Sequence, residues 1–277
     1  MKSTTQKAFA EDGAVLIEGF LSPEQLARCR AVFDWCLEHP GPFAVELFAG
    51  TEKETHNENA NPGVVERANE LVSSIPFGDL FADLWGSKNV WYFAEEVFLK
   101  RNGKGGRTPW HQDTSYLPWD GMHWANAWIS FEGVPKPNAL EMIRGSHRGI
   151  RYDGTDFKDA DDPTVPLHGG GALPRLPDIE AERRAHPNKY DIISWATQPG
   201  DVVVMHPATL HGGAPVDATF RDRHTLVLRF FGDDAIFRSL PSHSDNGFTP
   251  AGLLLLEHIR HLKDGDPFRS PFFKQLR

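Results

Sequence analysis

Apolar positions along this chain fall mainly into short runs bounded by turn residues, the pattern of strands more than of long helices. Residues 14–20, Ala-Val-Leu-Ile-Glu-Gly-Phe, read as a strand. Ser22-Pro23-Glu24-Gln25 then opens a helix, with Ser22 as N-cap, Pro23 in the first position and Gln25 closing a capping box. Apolar residues at 26, 29, 32, 33 and 36 form one stripe, and the helix stops by Pro40. The polar stretch 41–63 reads as a surface loop that leaves His56 exposed, and 64–85 reads as helices. From Val90 the pattern turns to strands, at 90–100, around 108–116, and at 124–131, 140–143, 202–206 and 225–231.

Between about 150 and 195 the character changes to acidic residues, a Gly169-Gly170-Gly171 run and several prolines. Connections this long inside a domain are usually functional or disordered, and the segment is expected to lie as a lid-like insert over one mouth of the fold, with a short helix near 178–185. A short apolar helix is expected over Leu253–Ile259. Helices concentrated near the N-terminus and seven or eight short strands predict a mainly β protein, a two-sheet jelly roll with helical flanks. No Pro-Gly-Ser linker divides the chain, so 1–277 is expected to form one domain.

Composition narrows the function. Nineteen Phe and eight Trp suit a deep, walled interior. A net charge of −9 argues against nucleic-acid partners and anionic membrane surfaces. The N-terminus lacks the apolar core of a signal peptide, and no apolar run reaches the length of a membrane span. Cys29 and Cys36 are too few for a disulfide framework and are expected to pack as small apolar residues. A cytoplasmic protein acting on a small molecule is the expectation; oligomeric state is left open.

The candidate chemistry lies in Thr108-Pro-Trp-His111-Gln-Asp113-Thr-Ser-Tyr. On one strand, residues two apart point to the same side, so His111 and Asp113 can hold two positions of one metal, and His211 would supply a third. Two histidines and a carboxylate on one face of a divalent iron leave positions open for cosubstrate, dioxygen or water. The same set also suits a zinc hydrolase, and a non-catalytic binding module on the same fold is a further alternative. His147 reads as the brace of a turn. His206, with Pro207 between it and His211, reads as structural.

Three motifs, Thr108-Pro-Trp-His111-Gln-Asp113, Ala139-Leu140-Glu141 with Gly145-Ser-His147-Arg148, and His211-Gly212-Gly213 through Arg223 to Leu228-Arg229-Phe230, together resemble the phytanoyl-CoA dioxygenase family. The opening Asp12-Gly13 and Glu18-Gly19-Phe20-Leu21 fits the same pattern, and the resemblance covers nearly all of the chain outside 150–195. It implies a double-stranded β-helix of cupin-like type, Fe(II) held by His111, Asp113 and His211, and 2-oxoglutarate and dioxygen as cosubstrates. The implied reaction is hydroxylation of an unactivated C–H in a small acyl or secondary-metabolite substrate, releasing succinate and carbon dioxide. Related halogenases lack the carboxylate that Asp113 retains.

The family holds the distal carboxylate of the cosubstrate with an Arg at a set distance beyond the distal His. Here that position is Asp222, flanked by Arg221 and Arg223. Aligning back from the strand Thr225–Phe231 favours Arg223, and strand parity puts Arg223, Thr225, Val227 and Arg229 on one face, so Arg221 and Arg229 stay as alternatives. Trp128 matches a family Trp near the cosubstrate, and Lys100 and Thr108 lie on the approach to it. Gly213 stands where the family often has Ser. Tyr116, Trp119, Trp124 and Arg229 are candidate walls of the substrate site.

Overall fold

Helices occupy the start of the chain because its apolar stripes there have helical spacing. In a computed structural model, which describes residues 3–155, 157, 159, 162–169, 171–241 and 257–277, α1 (Thr4–Asp12) and β1 (Ala14–Ile17) lead into α2 (Pro23–Glu38). The expected capping box is formed: Ser22 Oγ accepts from the Gln25 amide at 3.2 Å, and Gln25 Oε1 accepts from the Ser22 amide at 2.9 Å. Cys29, Val32, Phe33 and Cys36 form the buried stripe, and both cysteines are free thiols.

The expected surface loop at 41–63 is instead partly a hairpin of β2 (Val45–Leu47) and β3 (Thr55–Asn59), paired antiparallel. Its sequence carries no apolar alternation because the inner face of β3 meets a polar cavity, not a hydrophobic layer. His56 is half-buried there, with Nδ1 2.6 Å from Glu46 Oε1. After α3 (Val65–Ser73) and α4 (Phe77–Trp85) come β4 (Val90–Lys100), β5 (Thr108–His111), β6 (Trp119–Asp120), β7 (Trp124–Ser130) and β8 (Leu140–Ile143). Helix α5 (Ile179–Ala185), capped by Asp178, precedes β9 (Ile192–Ser194), β10 (Val202–Met205), β11 (His211–Gly213), β12 (Arg223–Gly232) and β13 (Ile236–Phe237). The helix expected at Leu253–Ile259 lies largely outside the described residues.

A seven-stranded sheet runs in the order β1-β10-β7-β12-β4-β3-β2, and a four-stranded sheet in the order β5-β11-β8-β9. Every pairing in both is antiparallel. The period-two alternation of β12 divides the interior. Leu226, Leu228 and Phe230 face outward into the layer formed by α2, α3 and α4, with Phe33, Leu71 and Phe81. On the opposite face, Val227, Trp128, Val203 and Met205 meet Leu140, Met142 and Ile193 of the smaller sheet. This is the two-sheet jelly roll, and its cavity opens between the sheets.

Candidate metal centre

Three donor atoms converge between the sheets. One ligand atom from each of His111, Asp113 and His211 lies within 4.8 Å of the others. Asp113 Oδ1 is 3.4 Å from His111 Nε2 and 3.6 Å from His211 Nε2. Cross-strand pairing of His111 with His211 in β5 and β11 brings the imidazoles together, their ring centroids 4.2 Å apart. Asp113 reaches them by a different route from the one expected. It lies beyond the end of β5, in a 3-10 turn over Asp113–Ser115, and its amide donates to Pro207 O at 2.8 Å. A turn, not strand parity, aims the carboxylate.

Both imidazoles carry the same local brace. His111 Nδ1 lies 2.8 Å from Pro109 O, and His211 Nδ1 lies 2.9 Å from Thr209 O. A carbonyl oxygen only accepts, so each Nδ1 bears the proton and each Nε2 presents its lone pair inward, the arrangement metal-binding histidines adopt. Burial, with His111 second, pushes His211 down to about 4. Burial alone would raise the Asp113 carboxyl, but the neighbouring His211, His111 and Arg229 together hold it well below the usual carboxylate range. Two neutral imidazoles and an ionised carboxylate are the protonation states a divalent metal requires, so the donor set fits iron.

The cavity that extends from this cluster is lined from both sheets, by Glu96, Lys100 and Arg223 on one side and Leu140 on the other. At one end Lys100 and Arg223 stand side by side. Lys100 Nζ donates to Ala214 O (3.1 Å), Gly106 O (2.6 Å) and Thr108 Oγ1 (3.2 Å), and Arg223 Nη1 donates to the same Ala214 carbonyl. Neither forms an ion pair with a carboxylate among the described residues. Burial, then Arg223 and Arg107, pushes Lys100 well down, and burial pushes Arg223 down to about 9. Trp128 closes this end, with the Arg223 guanidinium carbon 5.6 Å from its ring centroid. Two buried basic side chains thus meet on one carbonyl oxygen. Arg221, by contrast, is exposed, and neighbouring Asp222 is taken up by the Asn102 amide.

Arg229 lies at the other end of the cavity face of β12, where it bonds Glu96, a residue that sequence reasoning passed over. Parity offered the signal: Glu96 and Phe98 alternate with Lys100 on one face of β4, and all three line the cavity. Asn57, Asn59 and Asn126 were likewise unflagged, because a polar residue in a strand ordinarily reads as solvent-facing. Glu141, within one of the quoted motifs, instead bonds Arg107 and Arg183.

The mouth is aromatic. Tyr116 lines it, stacked on Phe157 at 5.9 Å between centroids, and Phe157 meets the His111 ring edge-on at 5.2 Å. Phe48 faces Phe157 at 6.4 Å. Both phenylalanines sit in the left-handed region, φ 54° and 53°, a conformation that costs energy for bulky residues and gathers at functional sites. Trp119 and Trp124 do not reach the cavity. They pack, fully buried, with Phe93, Phe231 and Phe268 in a separate cluster that the C-terminal segment completes. The 150–195 segment is fastened at its helical end, where Glu180 of α5 accepts from Trp110 Nε1 at 2.8 Å and pairs with Arg107 at 2.9 Å.

The two other histidines behave as structural groups. His147 Nε2 lies 3.3 Å from Ala10 O, and His206 bridges Gly121 O (3.1 Å) and the Ala208 amide (3.1 Å). Burial pushes His206 down to about 3, so between that value and the unfolded pKa of about 6.5 the unfolded chain takes up a proton that the folded one refuses. Stability from this group is complete above pH 6.5 and declines on acidification, by ~2 kcal/mol between pH 6.5 and 5. Melting curves of metal-free protein across that range should show the decline, with a shallower slope in His206→Gln.

A family model described as phytanoyl-CoA dioxygenase matches residues 9–225. The multifunctional dioxygenase prhA of Penicillium brasilianum is 25% identical over 234 residues, covering 80% of this chain and 69% of its own. Two solved structures share the fold. The epimerase SnoN from nogalamycin biosynthesis, in complex with Fe3+, alpha ketoglutarate and nogalamycin RO, aligns with a TM-score of 0.67 at 20% identity, over 99% of this chain and 97% of its own. EctD from S. alaskensis, with 2-oxoglutarate and 5-hydroxyectoine, aligns with a TM-score of 0.58 at 17% identity, over 84% and 76%. No described helix is long and apolar enough to cross a membrane. With a match across most of its length and a donor set suited to iron, the chain belongs to the phytanoyl-CoA dioxygenase family and is a 2-oxoglutarate-dependent non-haem iron oxygenase.

Proposed function

We propose that His111, Asp113 and His211 ligate Fe(II), that Arg223, Lys100, Thr108 and Trp128 hold the distal carboxylate of 2-oxoglutarate, and that the enzyme hydroxylates an unactivated C–H of a small, largely apolar molecule. The observation that carries this reading is a cavity with converging metal donors and, along the same sheet face, two buried basic side chains without carboxylate partners among the described residues. The chemistry that iron, 2-oxoglutarate and dioxygen supply when bound is oxidative decarboxylation to succinate and carbon dioxide, coupled to oxidation of the substrate.

The chain's own part is positioning and exclusion of water. His111 and His211 present Nε2 because their Nδ1 protons are committed to backbone carbonyls. Arg223 offers a planar fork matched to a carboxylate, and Lys100 adds charge at the same spot. Arg229 is already taken by Glu96, which favours Arg223 as the cosubstrate's partner. Among the cavity-lining residues, Leu47, Phe48, Leu117 and Phe157 are apolar, and the Arg229–Glu96 pair neutralises itself. This supports a substrate uncharged at its reacting end, of acyl or secondary-metabolite type. The neighbours' bound nogalamycin RO and 5-hydroxyectoine accord with a small-molecule substrate. We read 1–277 as one catalytic domain, in which the insert at about 150–195 is lid-like and is tied to the smaller sheet through α5.

Adding Fe(II) and then 2-oxoglutarate to metal-free protein under anaerobic conditions should produce a weak visible charge-transfer band that disappears on admitting air. Bound iron without that band would remove the cosubstrate assignment, Arg223 first.

A further inference from the structure

A buried ion pair stands behind the candidate metal centre. Arg229 and Glu96 face the cavity from β12 and β4, their side chains only 3% and 11% exposed. Replacing such a pair with apolar residues is often neutral or stabilising, so a buried pair is weak evidence for stability. Its geometry points to another task. Asp113 Oδ1 faces the two imidazole Nε2 atoms, whereas Oδ2 accepts from Asn126 Nδ2 at 2.5 Å and lies 3.9 Å from Arg229 Nη2.

We infer that Arg229, held by Glu96, is a positioning residue that fixes the rotation of the Asp113 carboxylate and so presets the metal site. The inference rests on the proposed ligand set. Arg229 Nη2 bonds Glu96 Oε2, and Nη1 donates to Asn59 Oδ1 at 3.1 Å. Glu96 Oε1 in turn accepts from Asn57 Nδ2 (2.9 Å) and Asn59 Nδ2 (3.3 Å). The guanidinium is thus locked from the side away from the metal, with its remaining charge directed at Oδ2. Electrostatics require the cation as well as the hydrogen bonds. Without Arg229, two buried carboxylates would confront each other across the cavity wall; with it, both are matched and Asp113 keeps a single oxygen turned inward.

The strand geometry supports the same role. The register between β12 and β4 slips by one residue between Arg229 and Phe230. A bulge of this kind re-aims side chains and recurs beside active sites. Here it lets Tyr92 and Val97, an odd number of residues apart, both face the helical layer, while Glu96 faces the cavity beside Arg229.

The test is metal affinity, measured without cosubstrate or substrate. Co(II) is titrated calorimetrically into metal-free wild type, Arg229→Gln, Arg229→Lys, Glu96→Gln and His211→Ala, alongside melting curves of each metal-free protein and the visible Co(II) spectrum. Loss of an outer partner typically weakens metal binding about 10–100-fold. That loss is expected for Arg229→Gln, with an altered spectrum, and a smaller loss in the same direction for Glu96→Gln. Lysine should restore part of the affinity. Co(II) affinity within twofold of wild type in both glutamine variants overturns the inference, whether the pair then proves to stabilise the fold or to bind substrate. Should Arg229→Gln fail to fold, the near-isosteric Glu96→Gln decides by the same criterion. His211→Ala separates the two levels of the argument: if it binds Co(II) like wild type the ligand set itself is wrong, whereas if it alone loses binding only the Arg229 role falls.

Discussion

Replacing His211 with alanine should reduce iron-dependent succinate formation to below about one-hundredth of wild type, beyond the 10–100-fold cost usual for a supporting residue. The imidazole is buried, its Nδ1 proton is committed to Thr209 O, its Nε2 lies 3.6 Å from the Asp113 carboxylate, and among the described residues the donor cluster consists of His111, Asp113 and His211. The effect should appear without turnover too. A metal present at a hundredfold excess over its dissociation constant stabilises the native state by ~2.7 kcal/mol, and that rise in melting temperature should vanish in His211→Ala. A variant that keeps both the metal-induced shift and the turnover would place the iron elsewhere.

The second large effect is expected at Arg223. Truncating one member of a buried, hydrogen-bonded charge pair costs ~2–5 kcal/mol, which corresponds to roughly 30-fold to several thousandfold in cosubstrate affinity at ~1.4 kcal/mol per factor of ten. Arg223→Ala should therefore raise KM for 2-oxoglutarate by at least that lower figure and leave Co(II) affinity close to wild type. Arg223→Lys should recover little, because an ammonium lacks the two-toothed fork. The converse result, with metal binding lost and KM unchanged, would assign Arg223 to the metal site. Arg221→Ala provides the internal comparison; the exposed position of that residue leads to an expectation of unchanged KM.

Much of this was legible in the residues. The capping box at Ser22 and Gln25, the stripe of α2 and the alternation of β12 are local patterns, and each forms as its spacing dictates. Grouping His111, Asp113 and His211 was also legible, although the assumed cause was not: a 3-10 turn anchored on Pro207, in place of a continued strand, brings Asp113 to the histidines. Sequence proximity misled at Trp119 and Trp124, a few residues from the donors yet buried in a cluster with Phe268. A residue's nearness in the chain does not determine which cluster its strand faces.

By itself the sequence determined the donor types, the strands that carry the two histidines and the parity that sets Arg223 and Arg229 on one face of β12. Only the tertiary structure decided that Arg223 meets Lys100 at a shared carbonyl while Arg229 meets Glu96 and the back of Asp113. It also turned the polar stretch around Asn57 and Asn59 into a strand lining the cavity. Periodicity along a chain records which side chains share a face, because that depends on the repeat of one strand. What the face looks onto depends on pairings between residues far apart in sequence, and those fix whether a buried charge finds a partner or waits for a ligand.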